Sequence, residues 1–366
     1  MKIGVLGGGQ LARMLALAGY PLGLEFVFLC PVPDACAAPL GEHLCAGFDD
    51  EAALQRLAGK VDRVTYEFES VPAGAVGYLN DRLPVYPPPR ALAIARDRLH
   101  EKNLFNALGI DTAPFVAVDS LADLQQAVAK TGLPAIIKTR TLGYDGKGQY
   151  RLHDESELPA AWEGVHGAAA ILEGFVPFER EVSIIAVRSL SGEMAFYPLS
   201  ENRHEAGILR LSTSLPDDPM QGLAEDYAQR LLEHLDYVGV LAIEFFQLGG
   251  QLLVNEMAPR VHNSGHWTIE GAVTGQFENH LRAILDLPLG STALTGRPAM
   301  VNLIGELPDI DAVLGMSGAH LHLYGKTPRP GRKLGHITIC ADDDGDSLQR
   351  LLAMTSGQDN KVAQSP

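Results

Sequence analysis

A short segment in the second half of the chain concentrates the side chains that could carry out chemistry. Residues 255–266 read NEMAPRVHNSGH, which places an amide, a carboxylate, an arginine and two histidines close together. An apolar run typical of a strand leads into this segment, and the apolar run before it contains Glu244. Burying a lone acid in a strand costs free energy unless a cationic group meets it. Glu244 and Glu256 therefore indicate a bound cation.

The glycine turn between the two apolar runs relates these acids to each other. If residues 249–251 form a three-residue hairpin loop, Leu248 pairs with Leu252, and Glu244 then faces Glu256 across the ladder. Directly opposed side chains share one face of a sheet, with their Cβ atoms roughly 5 Å apart. We therefore expect the two carboxylates to lie side by side.

Two adjacent carboxylates repel each other unless a divalent cation lies between them. Oxygen ligands favour Mg²⁺ or Mn²⁺, and Mg²⁺ is usually held by one or two carboxylates together with substrate phosphates. The alternative is a solvated hairpin whose acids face water. The flanking apolar residues, together with Arg260 and His262, favour the metal site.

A glycine loop near the start of the chain is a second candidate for anion binding. Residues 7–12 read GGGQLA between a predicted strand and a predicted helix, so they offer backbone N–H groups and a helix N-terminus to an anion. Dinucleotide sites carry an acid at the end of the next strand, but that strand ends Phe-Leu-Cys-Pro at 28–31. NAD binding is therefore disfavoured, and a general anion pocket or merely a tight turn is expected.

A further glycine-rich loop and two isolated acids lie in the middle of the chain. Residues 139–149 contain three glycines and the cations Arg140 and Lys147, without the Lys-Ser/Thr ending of a Walker loop. We expect this loop to contact phosphate. Glu173 and Glu181 flank a predicted strand end and, taken alone, would be expected to face solvent.

Composition limits the class of protein and its partners. The formal net charge of −16 disfavours nucleic acid and anionic membranes, so any bound anion must be held by local basic clusters such as residues 329–336, RPGRKLGH. That turn is either solvated or a phosphate clamp. No apolar run is long enough for a membrane span or a signal peptide. The four cysteines lack metal or Cys-x-x-Cys spacing, and we expect reduced thiols in the cytoplasm.

The elements that must position these residues fall into three expected units within a chain of 366 residues. Strands predicted at 2–6, 25–29 and 61–66 alternate with helices at 10–19 and 52–58, which implies a parallel sheet. The later predicted elements are a helical stretch at 90–108, strands at 135–138, 169–172, 182–187 and 194–197, and a helix at 223–235.

These segments together resemble the ATP-grasp superfamily and, within it, the 5-(carboxyamino)imidazole ribonucleotide synthases of de novo purine synthesis. The resemblance rests on residues 7–11, 144–149, 255–266 and 329–336, and it thins after about residue 340. One departure is Leu142, where the family commonly has glycine.

The resemblance implies an α/β chain (α+β overall) with an ATP-grasp fold. Its parts are an N-terminal α/β parallel-sheet domain at 1–95, an ATP-grasp domain with a mobile lid at 96–290, and a small β-rich C-terminal domain at 291–366. It also implies the residues that bind ATP, which are Arg98, Lys138, Gly143, Tyr144, Asp145, Gly146, Lys147, Gly148, Gln149, Glu173, Gly174, Phe175, Val176, Glu181, His204, Asn255 and Glu256.

Further roles follow from the same resemblance. Glu244 and Glu256 would hold Mg²⁺ or Mn²⁺, in agreement with the hairpin count. The residues implied to act on bicarbonate and carboxyphosphate are Arg260, His262, Asn263 and Lys147. Those implied to bind the ribonucleotide are Gln10, Tyr144, Lys147, Arg332 and Lys333.

The reaction so implied is an ATP-dependent carboxylation. ATP, bicarbonate and 5-aminoimidazole ribonucleotide would give ADP, phosphate and the N-carboxylated ribonucleotide through carboxyphosphate, in a cytoplasmic homodimer with no nucleic-acid or membrane partner. The nearest alternative is another ATP-grasp carboxylate–amine ligase, and the stretch 261–266 and the basic turn favour the ribonucleotide. An NAD-linked dehydrogenase and a catalytically silent nucleotide-binding module are the alternatives from other classes.

Overall fold

A computed structural model describes residues 1–141, 143, 148–341 and 346–355 of the chain. In these ranges the strands form three sheets, of four, nine and four strands. None of the described helices is long and apolar enough to cross a membrane.

The first unit is built on a parallel sheet, as the alternation of strands and helices predicts. Its elements are β1 (Lys2–Leu6), α1 (Gln10–Gly19), β2 (Glu25–Leu29), β3 (Glu42–Leu44), α2 (Glu51–Ala58), β4 (Arg63–Tyr66), α3 (Ala73–Asn80) and α4 (Pro89–Ala95). The strand order is β3-β2-β1-β4, and every pairing is parallel. Because all four strands run the same way, the loops that follow β1 and β4 meet at one edge of the sheet.

The helical stretch predicted at 90–108 is two helices. After α4, a second helix α5 (Arg98–Ala107) begins at Asp97, whose side chain accepts hydrogen bonds from the backbone N–H groups of Leu99 and His100. An aspartate at this N-cap position has a non-helical backbone conformation, so it separates the two helices. Arg140 reinforces the break, because its Nε donates to Oδ1 of Asp97 and its Nη2 donates to Oδ2.

A small antiparallel sheet follows. Its elements are β5 (Phe115–Val118), α6 (Leu121–Thr131), β6 (Ala135–Thr139), β7 (Gln149–Leu152), α7 (Leu158–Gly164) and β8 (Ala170–Gly174). The order is β5-β8-β6-β7. A core that includes Val118, Leu124 and Ile137 lies between the sheet and its two helices, so β6 and β8 carry Lys138 and Glu173 on a rigid support.

The remaining strands join into one large sheet. Its elements are β9 (Arg180–Arg188), β10 (Met194–Phe196), β11 (Ser200–Glu205), β12 (Ile208–Ser214), α8 (Gln221–His234), β13 (Gly239–Leu248), β14 (Gln251–Ala258), α9 (Thr268–Gly271), α10 (Gln276–Ile284), β15 (Arg297–Ile304), α11 (Ile310–Leu314), β16 (Ala319–Leu323), β17 (Lys333–Ala341) and α12 (Asp346–Thr355). The order is β14-β13-β9-β11-β12-β15-β17-β16, with β10 beside β9. The sheet thus continues across residue 291, and the domain limits at 95 and 290 stay predictions.

The turn of the β13–β14 hairpin differs from the predicted one. Leu248 pairs with Gln251, so the loop has two residues and the prediction of three was wrong. Gly249 adopts a φ of 59°, a left-handed conformation that two-residue hairpin loops use and that glycine adopts without strain.

A β-bulge restores the predicted pairing of the acids. Phe245 pairs with Val254, but the next pair is Glu244 with Glu256, so Asn255 is the extra residue on β14. The bulge adds back the residue that the shorter turn removes. The predicted opposition of Glu244 and Glu256 is therefore confirmed. It arises from a shorter turn and a bulge, neither of which was predicted.

Candidate active site

Glu256 is bound by an arginine from the start of α5. Nη1 of Arg98 donates to Oε2 of Glu256 at 2.8 Å, and Nη2 donates to the carbonyl oxygen of Gly143 at 3.4 Å. Burial alone would raise the pKa of Glu256, but the charge and hydrogen bond of Arg98 outweigh it and lower the pKa. Glu256 is therefore an ionised carboxylate at neutral pH.

Glu244, directly across the ladder, has the opposite shift. Burial, followed by the charge of Glu256, raises the pKa of Glu244 to about 7. A divalent cation between the two carboxylates would relieve this repulsion, and the all-oxygen pair suits Mg²⁺. Among the described residues no group of three or more His, Cys, Asp and Glu side chains could hold a metal ion alone. The pair thus fits a metal that is shared with substrate phosphates.

Three charged side chains meet in the interior between α5 and the small sheet. Nζ of Lys138 donates to Glu173 at 2.8 Å, and Nζ of Lys102 lies 3.6 Å from the other carboxylate oxygen. Burial would raise the pKa of Glu173, but the two lysines hold it at about 2. Glu173 is only 3 % exposed, so the expectation that it would face solvent on its own was wrong. Nζ of Lys138 also lies 3.5 Å from Oδ1 of Asn255, so the cluster contacts the hairpin.

The segment 173–176, implied by the resemblance to bind ATP, leaves the small sheet after Gly174, where β8 ends. The N–H of Gly174 donates to Pro114, and the N–H of Phe175 donates to Pro134. The guanidinium of Arg151 lies 4.2 Å from the centre of the Phe175 ring. These contacts fix the backbone between the two sheets, and the buried Val176 lies in the same link.

Glu181 and His204 form a pair on the large sheet. Oε2 of Glu181 on β9 lies 2.7 Å from Nδ1 of His204 on β11, where a bulge shifts the register. Burial would lower the pKa of His204, but the contact with Glu181 and the charge of Glu244 raise it. Two residues assigned separately to the nucleotide are therefore in direct contact.

Arg260 is held by an acid from the first unit. Nε and Nη2 of Arg260 donate to the two oxygens of Glu69, at 2.6 and 3.1 Å. Burial would raise the pKa of Glu69, but Arg260 lowers it. This two-point contact orients the guanidinium between the first unit and the acid hairpin.

His262 and Asn263 are both tied to neighbouring polar groups. Nδ1 of His262 lies 2.9 Å from Oγ of Ser264, and Nε2 lies 3.4 Å from Oε1 of Glu244. Burial, then Arg260, lowers the pKa of His262 well below its usual value. Asn263 exchanges two amide hydrogen bonds with Asn302 on β15, at 3.1 and 2.8 Å.

The glycine loop after β1 already contains an anion. The carboxylate of Glu67, which follows β4, accepts hydrogen bonds from the backbone N–H groups of Gly9 and Ala12. A Cβ atom on Gly9 would lie 2.8 Å from that carboxylate. The expected general anion pocket is thus filled by the protein's own Glu67 side chain. Burial raises the pKa of this carboxyl group.

The predicted ribonucleotide residues that the structure describes lie beside this loop and at the start of β17. Oε1 of Gln10 accepts a hydrogen bond from Nζ of Lys326 at 2.5 Å. Nη1 of Arg332 donates to the carbonyl oxygen of Thr327 at 3.1 Å. The charge of Lys333 lowers the pKa of both His262 and His266, which places it close to the segment 255–266.

Part of the phosphate loop lies outside the described residues. Tyr144, Asp145, Gly146 and Lys147 belong to that part. Gly148 has a φ of 69°, and Gln149 pairs with Lys138 at the start of β7. The end of the loop is therefore anchored next to the lysine of the charge cluster.

Comparison with known proteins matches the chain along most of its length. Residues 1–96 match the ribonucleotide synthetase preATP-grasp domain, 103–277 the ATP-grasp domain, and 298–350 the phosphoribosylaminoimidazole carboxylase C-terminal domain. N5-carboxyaminoimidazole ribonucleotide synthase of Pseudomonas aeruginosa is 58% identical over 343 residues, which are 93% of this chain and 95% of that protein. The chain belongs to the N5-carboxyaminoimidazole ribonucleotide synthase family.

Other members of the family give the same result. The Bacillus subtilis enzyme is 37% identical over 370 residues, 99% of this chain and 97% of its own. A crystal structure of the Thermus thermophilus synthetase superposes with a TM-score of 0.92 at 58% identity, covering 97% of this chain and 98% of that one. An Aspergillus clavatus family structure, in complex with ADP and 5-aminoimidazole ribonucleotide, has a TM-score of 0.90 at 29% identity, covering 97% of this chain and 98% of that one. The predicted family and ATP-grasp fold are confirmed.

Several site residues of this family member were missed by sequence reasoning. Glu101 and Lys102 are each 1% exposed, and Glu101 accepts a hydrogen bond from the N–H of Met257 at 2.7 Å. Helical spacing could have found them, because both lie on the face of α5 that carries Arg98 and Phe105. Glu69 could have been found from its position after β4, at the sheet edge that also carries the glycine loop.

Proposed function

We propose that this protein carboxylates 5-aminoimidazole ribonucleotide, using ATP and bicarbonate, to give N5-carboxyaminoimidazole ribonucleotide, ADP and phosphate in purine biosynthesis. The observation that carries the proposal is the pairing of Glu244 with Glu256 beside Arg260 and His262. The candidate metal ligands and the candidate residues for a small anion thereby lie together, on the β13–β14 hairpin and in the segment that follows it. The second substrate rests on family membership.

ATP would lie between the small sheet and the large sheet. Lys138 and Arg98 supply positive charge for its phosphates, together with the loop that includes Tyr144, Asp145, Gly146 and Lys147. The link 173–176 would lie along adenine, and Glu181, in contact with His204, would accept hydrogen bonds from the ribose hydroxyls. Asn255, within 3.5 Å of Lys138, would complete the phosphate contacts.

Glu244 and Glu256 would hold Mg²⁺, with Mn²⁺ as a substitute. When bound, the metal supplies charge neutralisation at the phosphoryl group that is transferred. The two carboxylates keep that role because Arg98 holds Glu256 ionised and the ladder fixes Glu244 opposite it.

Arg260, His262 and Asn263 would bind bicarbonate and the carboxyphosphate formed from it. Bicarbonate is a poor electrophile, and phosphorylation gives its carbon a leaving group. Carboxyphosphate hydrolyses readily, so the site must exclude water. Glu69 orients Arg260, and Asn302 orients Asn263. These hydrogen-bond donors are therefore held in place by protein groups and do not need water to orient them.

The ribonucleotide would lie between the first and third units. Gln10, Arg332 and Lys333 are the described candidates for its binding, with Tyr144 and Lys147 from the loop. Lys326, in contact with Gln10, joins this set. We further propose that the protein acts as a homodimer in the cytoplasm.

One assay tests the proposal against its alternatives. ADP release is measured with ATP alone, then with bicarbonate, with the ribonucleotide, and with both, and ¹³C-bicarbonate traces the label into the product. We expect fast ADP release and labelled carbamate only with both substrates. Release that requires formate or an amino acid instead would replace the proposal by another ATP-grasp ligase, and no release in any mixture would indicate a silent nucleotide-binding module.

A further inference from the structure

We propose that Ser183, Asn202 and Ser264 are positioning residues that hold His262 as a hydrogen-bond donor through Nε2. The inference rests on the proposed function, because it gives His262 the task of donating to an oxyanion or to Glu244 during that reaction. It also removes His262 from the groups that could take the proton of the substrate amine.

The deciding contact is a backbone hydrogen bond. The N–H of Ser264 donates to Nδ1 of His262 at 3.3 Å. A backbone amide nitrogen always donates, so Nδ1 must present a lone pair, and the proton of the neutral ring is on Nε2. Nε2 lies 3.4 Å from Oε1 of Glu244. The ring therefore directs an N–H group into the site.

A chain of side-chain hydrogen bonds supports the same arrangement. Nδ2 of Asn202 donates to Oγ of Ser183 at 2.8 Å, and Oγ of Ser183 donates to Oγ of Ser264 at 2.8 Å. Because Ser264 Oγ accepts this bond, its own proton is available for Nδ1 of His262, 2.9 Å away. Every donor in the chain points toward Nδ1.

The chain is built into the large sheet. Ser183 lies on β9 opposite Glu244, and Asn202 lies on β11. Oγ of Ser212, on β12, lies 2.8 Å from Oδ1 of Asn202 and 2.9 Å from the carbonyl oxygen of Ser264, and its single proton can go to either acceptor. Ser183, Ser212 and Ser264 are completely buried. The fixed end of this buried network is the backbone N–H of Ser264, which cannot be reversed, and the direction of the hydroxyls follows from the lone pair that it requires on Nδ1.

Nitrogen NMR tests the tautomer in the absence of any substrate or metal. The protein is labelled with ¹⁵N-histidine, and the His262→Asn variant assigns the His262 signals. We expect a ring with a bare Nδ1 and a protonated Nε2 in the wild type, and a mixture of tautomers in Ser264→Ala and Ser183→Ala. A wild-type ring that is protonated on Nδ1 overturns the proposal, and so does an unmixed ring in both serine variants.

A matched control separates positioning from general loosening of the sheet. Ser214 on β12 is also buried, and its Oγ has no hydrogen-bond partner within the part of the chain that the structure describes. Ser214→Ala should leave the His262 signals and the turnover unchanged. A mixed ring in this control as well would assign the effect to packing and overturn the positioning role.

Kinetics test the donor role itself. Glutamine can place an amide N–H near the position of Nε2, whereas alanine cannot, so His262→Gln should keep a kcat about tenfold above that of His262→Ala. Equal kcat values in the two variants would overturn the donor role. Ser264→Ala should lower kcat by about tenfold and leave KM for ATP within about twofold. Failure of the proposed function would be seen separately, as a wild type that does not consume the ribonucleotide while the NMR result stands.

Discussion

Two regions of the molecule present anion-binding chemistry in opposite ways. In the segment 255–266, Glu256 and Arg260 are each held by a charged partner from another element, Arg98 and Glu69. In the glycine loop 7–12, the backbone N–H groups that could bind a phosphate are already bound to Glu67. A carboxylate from a neighbouring strand end thus turns an anion-binding loop into a rigid support for Gln10.

The difference is where the compensating charge comes from. Glu67 follows β4 of the same sheet as the loop that it fills, so this loop finds its acceptor within the first unit. The acid hairpin instead depends on Arg98 from α5 and on Glu69 from the first unit, which act on Glu256 and Arg260. We therefore expect catalytic residues where units meet, and purely structural contacts where one unit supplies both partners.

The largest expected effect is the loss of a carboxylate from the hairpin. Glu256→Gln and Glu244→Gln should each lower kcat by about a thousandfold or more, because a neutral amide cannot balance the charge of a divalent metal. Steady-state ADP release measures the effect at saturating Mg²⁺, and Glu233→Gln, an exposed acid on α8, is the control. Near-normal turnover in either variant would show that the acid pair is not part of the catalytic region.

The contact between Glu69 and Arg260 tests whether the active region depends on the first unit. Glu69→Gln should lower kcat by about ten- to a hundredfold, since a charged hydrogen bond contributes about 1.5–3 kcal/mol. KM for ATP should change little. Glu25→Gln, which removes an exposed partner of Lys2, is the control. Unchanged kcat in Glu69→Gln would mean that Arg260 keeps its orientation without the first unit.

Lys333 tests the third unit in the same way. Lys333→Ala should raise KM for the ribonucleotide by about ten- to a hundredfold through the loss of a charged bond to its phosphate, with KM for ATP unchanged. Each substrate is varied in turn, and Lys130→Ala, an exposed lysine on α6, is the control. A rise in KM for ATP alone would assign the basic turn to the nucleotide.

The glycine loop can be converted into the kind of site that it resembles. Glu67→Ala should lower stability by about 1–3 kcal/mol, because two backbone N–H groups lose their acceptor. Sulfate stabilises folded proteins in general, and it should raise the melting temperature of the variant by more than that of the wild type. Asp62→Ala, which also removes an acceptor of a backbone N–H in this sheet, is the control. If sulfate does not stabilise Glu67→Ala relative to this control, the loop is not a latent anion site.

The sequence predicted what depends on neighbours along the chain and missed what depends on distant partners. The parallel sheet and the pairing of Glu244 with Glu256 follow from local patterns. The predicted pairing is correct only because a bulge at Asn255 compensates for the wrongly predicted turn length. Arg260 and Glu69 are 191 positions apart, so no local pattern links them. Strands β11 and β12 were not predicted because their buried faces carry Asn202 and Ser212, which breaks the usual apolar alternation.

The join between the first unit and the large sheet should weaken in acid. His280 connects them: its Nδ1 accepts a hydrogen bond from the N–H of Val240 on β13, and its Nε2 lies 2.9 Å from Oγ1 of Thr65 on β4. Burial lowers the pKa of His280 to about 3. Its contribution to stability is therefore fully present above the unfolded pKa of about 6.5 and is lost progressively as the pH falls toward the folded value.

Urea unfolding at two pH values measures this contribution, the smallest effect expected here. Because of His280, the free energy of unfolding should fall by about 1.4 kcal/mol when the pH is lowered from roughly 7.5 to roughly 5.5. Over this range the histidine is protonated in the unfolded state and stays neutral in the folded state. His280→Gln should be less stable at neutral pH but should lose less stability on acidification, by about that amount. His153→Gln, at an exposed position, should keep the wild-type slope. An equal slope in His280→Gln and the wild type would show that the join between the first unit and the large sheet is not sensitive to this proton.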